Sequence, residues 1–468
     1  MSDLTLLIPE LILAGMALAL ILVARRIHGT PVGVVGTVLA ALAAALASGW
    51  VLSLGARTGF GGMIILDGYS QFFKVLIAAT LALAALLSVK SFDAGDIPRG
   101  EYHALLLLAA TGMMLAVSAH DLLPLYLGLE LMTLCSYILV GIRVERPASN
   151  EAAIKYFLLG SFASALLIYG ISLTYGVTGT TDFSVVASAL SGHGAGSNLL
   201  LLVAISLVAA GLAFKIAAVP LHSWAPDAYQ GASAPVAAFL AAGSKAVGLA
   251  ALGRVCLTAY GSEVHVLSVL LAGLAGLSII VGSVIALSQT DMKRLLAYSS
   301  ISHAGYALLG LIAGTPEGAS ATMTYAFFYV FMTLGTFGVV IALGERGETL
   351  DGYRGLAAQR PGTAVIMLVF LMSLTGIPPT AGFAAKFVVI LSAVTAGHMA
   401  LAVLAVACSV VSAFFYMRIA VLMYMNEPLE PAPSRFPAAV FAALAVAALV
   451  TLAGGISPGS LAAWAVSP

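Results

Sequence analysis

Residues 199–226 read LLLLVAISLVAAGLAFKIAAVPLHSWAP, an apolar run that reaches a lysine and is then followed by a proline. Pro220 removes a backbone donor and clashes with the preceding turn, so a helix formed by this run must open here. Carbonyl groups freed at membrane depth are tolerated only where protein or water satisfies them. The stretch therefore predicts a membrane helix that is interrupted beside Lys215, at a hydrated site.

The rest of the 468-residue chain is just as apolar. It is 61% hydrophobic and only 9% charged, whereas an ordinary soluble domain is about 25% charged. The mean hydropathy of +1.08 predicts an integral membrane protein. The net charge is zero, so nothing indicates a nucleic-acid partner. Cys135, Cys256 and Cys408 are isolated from one another, which gives no support to a metal, haem or disulfide site.

Apolar runs of about 20 residues, the length that crosses a bilayer, recur along the chain. The first begins close to the N-terminus without a basic leader, so we interpret it as a membrane helix rather than a cleaved signal peptide. The fold class we predict is an all-α polytopic membrane protein with broken seventh and twelfth helices. The fourteen predicted spans lie near residues 4–24, 32–54, 68–89, 101–119, 121–141, 151–176, 199–219, 233–259, 264–288, 293–314, 320–343, 362–391, 398–425 and 434–454.

The basic residues in the connections between spans lie almost entirely after odd-numbered spans. Only Arg57 lies in a connection that follows an even-numbered span. Because cytoplasmic connections carry the excess of lysine and arginine, the connections after odd-numbered spans are predicted to face the cytoplasm. Both termini then face the periplasm. The twelve basic residues that follow odd-numbered spans are Arg25, Arg26, Lys90, Arg99, Arg143, Arg146, Lys293, Arg294, Arg346, Arg354, Arg360 and Arg435.

The two halves of the chain contain similar segments. SYILVG at 136–141 matches GYALLG at 305–310, and Lys215 lies 171 residues before Lys386. Just before Lys386 the sequence 374–383, LTGIPPTAGF, predicts a second helix break. Five helices separate equivalent elements, an odd number, so the second copy is predicted to be inverted, as in many ion-coupled transporters. The predicted units are an N-terminal three-helix segment (1–100), a first five-helix repeat (101–262), a second, inverted repeat (263–426) and a C-terminal helix and tail (427–468).

Four charged residues lie within the apolar runs: Glu130, Lys215, Lys245 and Lys386. A charge at the centre of a bilayer costs about 2.5–3.5 kcal/mol on insertion scales, so such residues usually mark ion pathways. Glu130 and Lys215 are predicted to pair, and this pair could be structural as well as functional. Lys245 lies among small residues that leave room for water. Lys386 is nearer a helix end, where snorkelling competes, but its match to Lys215 favours function.

Other charged residues near the spans are interpreted as less central. Lys155 follows Glu151 by four residues, so a solvated helix pair and a functional role are equally supported. Glu10, near the outer end of the first span, is expected to be hydrated. Interfacial anchoring is expected for three basic residues close to helix ends: Lys74, Arg254 and Arg418.

Two of the eight histidines are candidates for proton relay, His303 in the tenth span and His222 at the first helix break. Imidazole suits this role because it titrates near neutral pH. A hydrogen-bonded core histidine is the competing interpretation for both. The other six carry no clear signal and lie in loops or at span ends: His28, His103, His120, His193, His265 and His398.

These features suggest how protons could move. A nearby carboxylate stabilises the ammonium form of a lysine, whereas desolvation destabilises it. A change in the distance between Glu130 and Lys215 would therefore release or recapture a proton. That proton could pass to Lys245 and on to Lys386 through water.

Three stretches resemble a known family, the antiporter-like membrane subunits of respiratory complex I (NADH:quinone oxidoreductase). They are AAVPLHSWAPDAYQGASAP at 217–235, DMKRLLAYSSISH at 291–303 and GIPPTAGF at 376–383. The resemblance implies a proton-translocating subunit in a bacterial inner membrane, with other complex I subunits and the lipid bilayer as its partners. It implies a central ion pair between Glu130 and Lys215, linked by Lys245 to Lys386. It also implies a modulating role for Lys155 and relay roles for His222 and His303.

The chain is most similar to the N branch of that family, because lysine is present at both 215 and 386, the C-terminal tail is short, and DGYRGL stands at 351–356. Two alternatives stay open, a subunit of an Mrp-type cation/proton antiporter and a structural membrane scaffold. No nucleotide, flavin or metal motif is present in the sequence. We therefore expect no cofactor in this chain and redox chemistry only in its partners.

Overall fold

The computed structural model describes residues 3–26, 30–92, 95–191, 199–429, 431 and 436–456, and within them the chain is almost entirely helical. One small antiparallel sheet joins β1 (Arg57–Gly59) to β2 (Ile64–Leu66). The α-helices are α1 (Ile8–Val23), α2 (Val32–Leu52), α3 (Gly68–Ser88), α4 (Arg99–Ser118), α5 (Leu122–Val140), α6 (Pro147–Thr178), α7 (Phe183–Leu190), α8 (Leu199–Lys215), α9 (Trp224–Gly231), α10 (Ala234–Ala259, with π-helical turns), α11 (Val264–Ala286), α12 (Met292–Leu311), α13 (Pro316–Leu343), α14 (Leu356–Gln359), α15 (Pro361–Thr375), α16 (Ala381–Thr395), α17 (Met399–Met425) and α18 (Ala438–Ile456). Short 3-10 turns cover Asp3–Leu7, Val89–Phe92, Gly261–Glu263, Gly344–Glu348 and Asp351–Tyr353.

Eleven helical segments in the described part of the chain are long and apolar enough to cross a membrane. Three further apolar helices, α8, α15 and α16, are shorter. α12 has 20 residues but carries Lys293 and Arg294 in its first turn, which makes it less apolar. Every predicted span overlaps one or more of these helices.

Several helices begin at an acidic side chain that caps their first turn. Asp121 accepts a hydrogen bond from the backbone N–H of Leu123 at 2.8 Å, ahead of α5. Asp291 accepts one from the N–H of Arg294 at 2.8 Å, ahead of α12. Such caps satisfy donors that have no partner within the helix. They set the registers of α5 and α12, and therefore where the side chains further along those helices lie.

The two predicted helix breaks are present. α8 ends at Lys215, and the chain turns through Ala217, which has a positive φ of 56°, and Pro220 before α9 begins. α15 ends at Thr375, and Gly376, with a φ of 89°, separates it from α16. In both places the proline-containing stretch leaves a helix end beside a lysine.

One end of the helix bundle carries a lattice of ion pairs, here called the charged face. Asp96 forms ion pairs with Arg143, at 3.3 Å, and with Arg146, at 3.1 Å. Lys293 pairs with Glu348 at 3.0 Å. These residues come from the connections after α3, α5 and α13 and from the start of α12, so those connections meet at the same end of the bundle.

The opposite end, here called the hairpin face, is held by backbone hydrogen bonds around the small sheet. Ile64 in β2 forms a bridge with Ala119. The N–H of His120 donates to the carbonyl of Met63 at 2.9 Å, and the N–H of Phe183 donates to the carbonyl of His120 at 3.1 Å. The connections that follow α2, α4 and α6 therefore come together at this end.

Two ion pairs near the hairpin face correct our expectations for Glu10, Lys74 and Arg254. Glu10 contacts Lys74 at 2.7 Å, and their side chains are only 6% and 1% exposed. Arg254 makes two hydrogen bonds to Asp67, and both side chains are buried. The predictions of a hydrated Glu10 and of interfacial Lys74 and Arg254 are wrong. A position near a helix end is still buried when neighbouring helices and a loop extend past it.

The Asp67 carboxyl group lies just before α3, outside the spans. Burial alone would raise its pKa, but the hydrogen bonds and charge of Arg254 and the N–H of Ser70 outweigh burial and hold the pKa below its usual value. Asp67 also completes a capping box with Ser70. One carboxylate therefore both starts a helix and neutralises a buried arginine.

Some sequence expectations concern parts of the chain outside the described residues. These are the loop histidines His28 and His193, Arg435 in the charge count, and the tail beyond residue 456. Arg418 is within the described part and is half-buried on α17.

Candidate functional site

The first element of the site is an ion pair between a half-buried glutamate on α5 and a buried lysine at the end of α8. Lys215 Nζ lies 3.0 Å from Glu130 Oε1 and donates to Thr133 Oγ1 at 2.7 Å. The hydroxyl of Ser164 on α6 donates to the same Glu130 oxygen at 2.5 Å. The lysine side chain is 1% exposed and the glutamate 19%. The predicted pairing of these residues is therefore present, and two hydroxyl groups complete it.

The interruption after α8 packs tightly against α10. A Cβ added at Gly248 of α10 would lie 2.6 Å from the side chain of Ile216. The Ser244 hydroxyl donates a long hydrogen bond, 3.5 Å, to the Lys215 carbonyl that the helix break leaves free. Ser244 directly precedes Lys245, so the two lysines are connected through one serine at the broken helix.

Lys245 on α10 is held by uncharged oxygen atoms. Its Nζ donates to the Ser300 carbonyl at 2.5 Å and to the Ser300 hydroxyl at 2.6 Å. No carboxylate among the described residues lies within ion-pairing distance of it. The hydroxyls of Tyr229 and Tyr329 lie beside Ser300, and neither makes a hydrogen bond of ordinary geometry within the described part of the chain. Buried hydroxyls of this kind are usually satisfied by water.

His303 lies one helical turn after Ser300 on α12 and is buried. Its Nδ1 lies 2.6 Å from the hydroxyl of Tyr325, and its Nε2 lies 3.2 Å from the hydroxyl of Tyr416. Lys245 contacts Ser300, one turn before His303, and Lys386 lies over the ring of Tyr306, one turn after it. Along α12, His303 is therefore located between the contacts of these two lysines.

Lys386 on α16 is 5% exposed, so it does not snorkel to the surface. Its Nζ donates to the Thr375 carbonyl at 2.8 Å and to the Ser409 hydroxyl at 3.0 Å, and it lies 4.6 Å from the centre of the Tyr306 ring. Thr375 is the last residue of α15. The negative end of a helix dipole therefore faces this ammonium group.

Two predicted site residues do not join this buried series directly. Lys155 has a side chain that is 47% exposed and pairs with Glu151 at 2.7 Å and with Asp227 at 3.2 Å. Both the solvated pair and an additional contact across to α9 are therefore present. His222 is half-buried in the break after α8, and its Nδ1 has no hydrogen-bond partner among the described residues.

The sequence did not identify the neutral partners of the charged groups. These are Thr133, Ser164, Ser300, Tyr325, Ser409 and Tyr416. Hydroxyl groups are common in apolar helices, where most donate to a carbonyl in the preceding turn, so no pattern distinguishes these six. The described residues contain no cluster of three metal-ligating side chains. Chemically, the arrangement is a buried series of basic groups joined by hydroxyls, which suits proton transfer.

Comparison with known proteins reveals extensive similarity. Residues 119–412 match the family model described as "NADH:quinone oxidoreductase/Mrp antiporter, TM". NADH-quinone oxidoreductase subunit N of Desulfovibrio desulfuricans is 45% identical over 99% of this chain and 96% of that protein. The corresponding subunit N of Rhodospirillum rubrum is 41% identical over 91% of this chain and 88% of its own length.

Solved structures give the same result at the level of fold. A chain of respiratory complex I from Thermus thermophilus is 34% identical, with a TM-score of 0.84, and the match covers 98% of this chain and all of that one. A chain of the Mrp complex from Dietzia has a TM-score of 0.85 at 24% identity, covering 98% of this chain and 96% of that one. At that level of identity the second match shows a shared fold only.

Proposed function

The chain belongs to the NADH:quinone oxidoreductase/Mrp antiporter family of membrane subunits, and from this premise we propose that it is the N-type proton-translocating subunit of a bacterial NADH:quinone oxidoreductase. The observation that carries the proposal is the Glu130–Lys215 pair at a broken helix, with a contact of 3.0 Å. A charge pair at this depth costs desolvation energy that a purely structural contact would avoid. A role of the pair in proton movement accounts for this energetic cost.

The proton path runs from Glu130 and Lys215 through Lys245 to Lys386. When Glu130 lies against Lys215, it stabilises the ammonium form. Separation of the pair destabilises that charge, and the proton passes toward Lys245 through water. His303 carries the proton between Lys245 and Lys386. Redox energy from partner subunits drives the separation.

Lys155 and His222 act at the charged-face side of this path. Lys155 and Arg294 share the two carboxylate oxygens of Asp227, at 3.2 and 2.7 Å. This contact ties the half-helix α9, which follows the break, to α6 and α12. Lys155 therefore modulates the pair by holding the broken helix in place, and His222 supplies protons at the break.

The chain forms fourteen spans with an inverted repeat, and paired contacts on opposite faces support this arrangement. On the hairpin face, Asp121 forms a bridge with Asp182; on the charged face, Asp291 forms one with Thr349. The partners in the second bridge lie 170 and 167 residues after those in the first. The close approaches of two glycines match in the same way. A Cβ added at Gly112 would lie 2.7 Å from the backbone N of Met132, and one added at Gly282 would lie 2.5 Å from the backbone N of Ser302. Both residues of the second contact lie 170 positions after those of the first.

The protein is a multi-pass protein of the bacterial inner membrane, with the charged face in the cytoplasm and both termini in the periplasm. The concentration of basic residues on that face supports this orientation. Its partners are the other membrane and peripheral subunits of the complex. The chain holds no redox cofactor and takes part in enzymatic turnover only as a translocating subunit.

The test is proton translocation by the assembled complex in membrane vesicles that carry Lys215→Ala. We expect NADH-driven proton uptake to fall on the order of 100-fold, since a positioned proton-transfer group is lost. Arg26→Ala, at an exposed position, is the control and should pump normally. Unchanged pumping in Lys215→Ala would overturn the proposal and favour a scaffold role.

A second measurement separates the proposed complex from an Mrp-type antiporter. Purification through a tag on this chain should bring down flavin and iron–sulfur subunits. Recovery of a cation/proton antiporter assembly without them would overturn the assignment. The relatives above favour the first result, because both are named as subunit N and the matches cover most of their length.

A further inference from the structure

His303 is bound at both ring nitrogens by phenol groups, and these phenols come from two other helices. Tyr325 on α13 lies 2.6 Å from Nδ1, and Tyr416 on α17 lies 3.2 Å from Nε2. The Tyr416 hydroxyl also contacts the hydroxyl of Ser299, which lies one turn before His303 on α12. All four side chains are at least 96% buried. They form a continuous string of hydrogen bonds in the order Tyr325, His303, Tyr416 and Ser299.

The number of hydrogens allows only two arrangements in which every bond of the string runs in the same direction. A neutral imidazole carries one N–H and one acceptor nitrogen, and each hydroxyl has one hydrogen. In one arrangement, Tyr325 donates to Nδ1, the Nε2–H donates to Tyr416, and Tyr416 donates to Ser299. In the other, every bond runs in the opposite direction. The tautomer of His303 is therefore set by the direction in which the whole string points.

We propose that Tyr325 and Tyr416 act with His303 and Ser299 as a reversible proton wire, in which the two phenols deliver and remove the proton that the imidazole carries. This inference rests on the proposed function, because it deepens the relay role given to His303. It adds two tyrosines that position the imidazole tautomer and carry the proton on either side of it.

One transfer conserves every hydrogen. A proton from water binds the Tyr325 oxygen, and the original Tyr325 hydrogen moves to Nδ1. The Nε2 hydrogen then moves to the Tyr416 oxygen, and the Tyr416 hydrogen moves to the Ser299 oxygen. The original Ser299 hydrogen leaves to water. The string now points the other way and must reverse before the next proton can pass, so it conducts one proton per reversal.

The arrangement has features that packing alone does not require. Phenylalanine would fill the space at 325 and 416 as well as tyrosine does, yet both hydroxyls are directed at the imidazole. The string also joins α12, α13 and α17, so a shift of any of these helices would break it. The titratable and charged groups that face it from the surrounding elements are Lys245, Tyr306, Tyr329 and Lys386.

The test replaces single tyrosines by 3,5-difluorotyrosine in the assembled complex. This analogue is nearly the same size but its phenol is more acidic. We expect that, with the analogue at Tyr416 or Tyr325, NADH-driven proton translocation will decline at a lower pH than it does in the unmodified complex. Tyr353 is the matched control, since its hydroxyl is fully buried and donates to the Gly347 carbonyl at 3.0 Å in a connection on the charged face. Substitution there should leave the pH profile unmoved.

Tyr416→Phe adds an independent measurement. With one link removed, proton translocation should fall on the order of 100-fold, while electron transfer from NADH to a soluble acceptor stays normal. Unmoved pH profiles at both 325 and 416, combined with loss of pumping in Lys215→Ala, would overturn the wire and leave the proposed function standing. Normal pumping in Lys215→Ala would overturn both.

Discussion

One of the three buried lysines of the site faces a charged oxygen atom, and the other two face only uncharged oxygen atoms. Lys215 faces a carboxylate, Lys245 faces a serine carbonyl and hydroxyl, and Lys386 faces a carbonyl at the end of α15. A full negative charge stabilises an ammonium ion more strongly than a dipole does. The carboxylate therefore stabilises an ammonium group at Lys215 more strongly than the neutral oxygens do at Lys245 and Lys386, and in the proposed relay this difference would make the steps unequal.

Asp67 provides a prediction for a single residue outside the relay. Asp67→Asn keeps the helix cap, because asparagine caps as well as aspartate, but leaves Arg254 buried without a countercharge. Loss of one partner of a buried ion pair costs about 3–5 kcal/mol. We expect a lower thermal denaturation temperature for the detergent-solubilised complex.

The effect of Asp67 on stability also has a defined pH dependence. Its carboxyl pKa is lower in the folded state than in the unfolded chain, so its contribution is present above the unfolded pKa and disappears as pH falls through the folded pKa. The stability difference between Asp67→Asn and the unmodified protein should therefore shrink under acidic conditions. A difference that stayed constant down to the folded pKa would contradict this account.

The candidate residues could be predicted from the sequence because charge is rare in this chain, but their neighbours could not. Lys245 stands out in an apolar run, whereas Ser300, which binds it, is one of many serines. The same limitation explains the wrong expectations for Glu10 and Lys74. Their distance from the helix ends is visible in the sequence, but burial depends on which helices pack around them.

At the scale of secondary-structure elements, the breaks after α8 and α15 control where the lysines lie. Gly376 has a φ of 89°, and a Cβ added there would lie 2.9 Å from Cδ of Lys386. Gly376→Ala should therefore strain the backbone by roughly 1–2 kcal/mol and also displace the lysine. We expect a lower melting temperature and a reduced rate of proton translocation.

Gly397 offers a matched control for this substitution. It has a φ of 84°, and nothing lies within 4 Å of an added Cβ. Gly397→Ala should lower the melting temperature by a similar amount and leave proton translocation unchanged. Equal losses of translocation in the two variants would show that backbone strain, and not the position of Lys386, governs the rate.

The breaks themselves were predictable because proline has a direct effect on helix hydrogen bonding. The exact ends of the helices were not. The predicted span 362–391 became α15 and α16, which are offset at Gly376, and α10 contains two π-helical turns that no periodicity indicated. The offset between α15 and α16 depends on close packing, since Gly382 in α16 approaches the Ser373 carbonyl of α15.

At the scale of the whole molecule, the two ends of the bundle are held by different forces. The charged face is connected by ion pairs around Asp96 and Asp227. The hairpin face is connected by backbone hydrogen bonds around β2 and His120, and the two buried pairs Glu10–Lys74 and Asp67–Arg254 add charge near it. The distribution of basic residues along the sequence predicted which connections share a face, but not that acidic residues from distant connections would neutralise them.

The proposed orientation leads to a prediction for the intact cell. Glu145 lies in the connection between α5 and α6, Ser262 lies between α10 and α11, and both are exposed. A membrane-impermeant thiol reagent should label Ser262→Cys in intact spheroplasts, and Glu145→Cys only in inverted vesicles. The native Cys135, Cys256 and Cys408 are buried, and the unmodified protein measures any background from them. The reverse pattern would place both termini in the cytoplasm. Labelling of both positions from one side would contradict the alternation of odd and even connections, and with it the inverted repeat, because that repeat needs an odd number of crossings between equivalent helices.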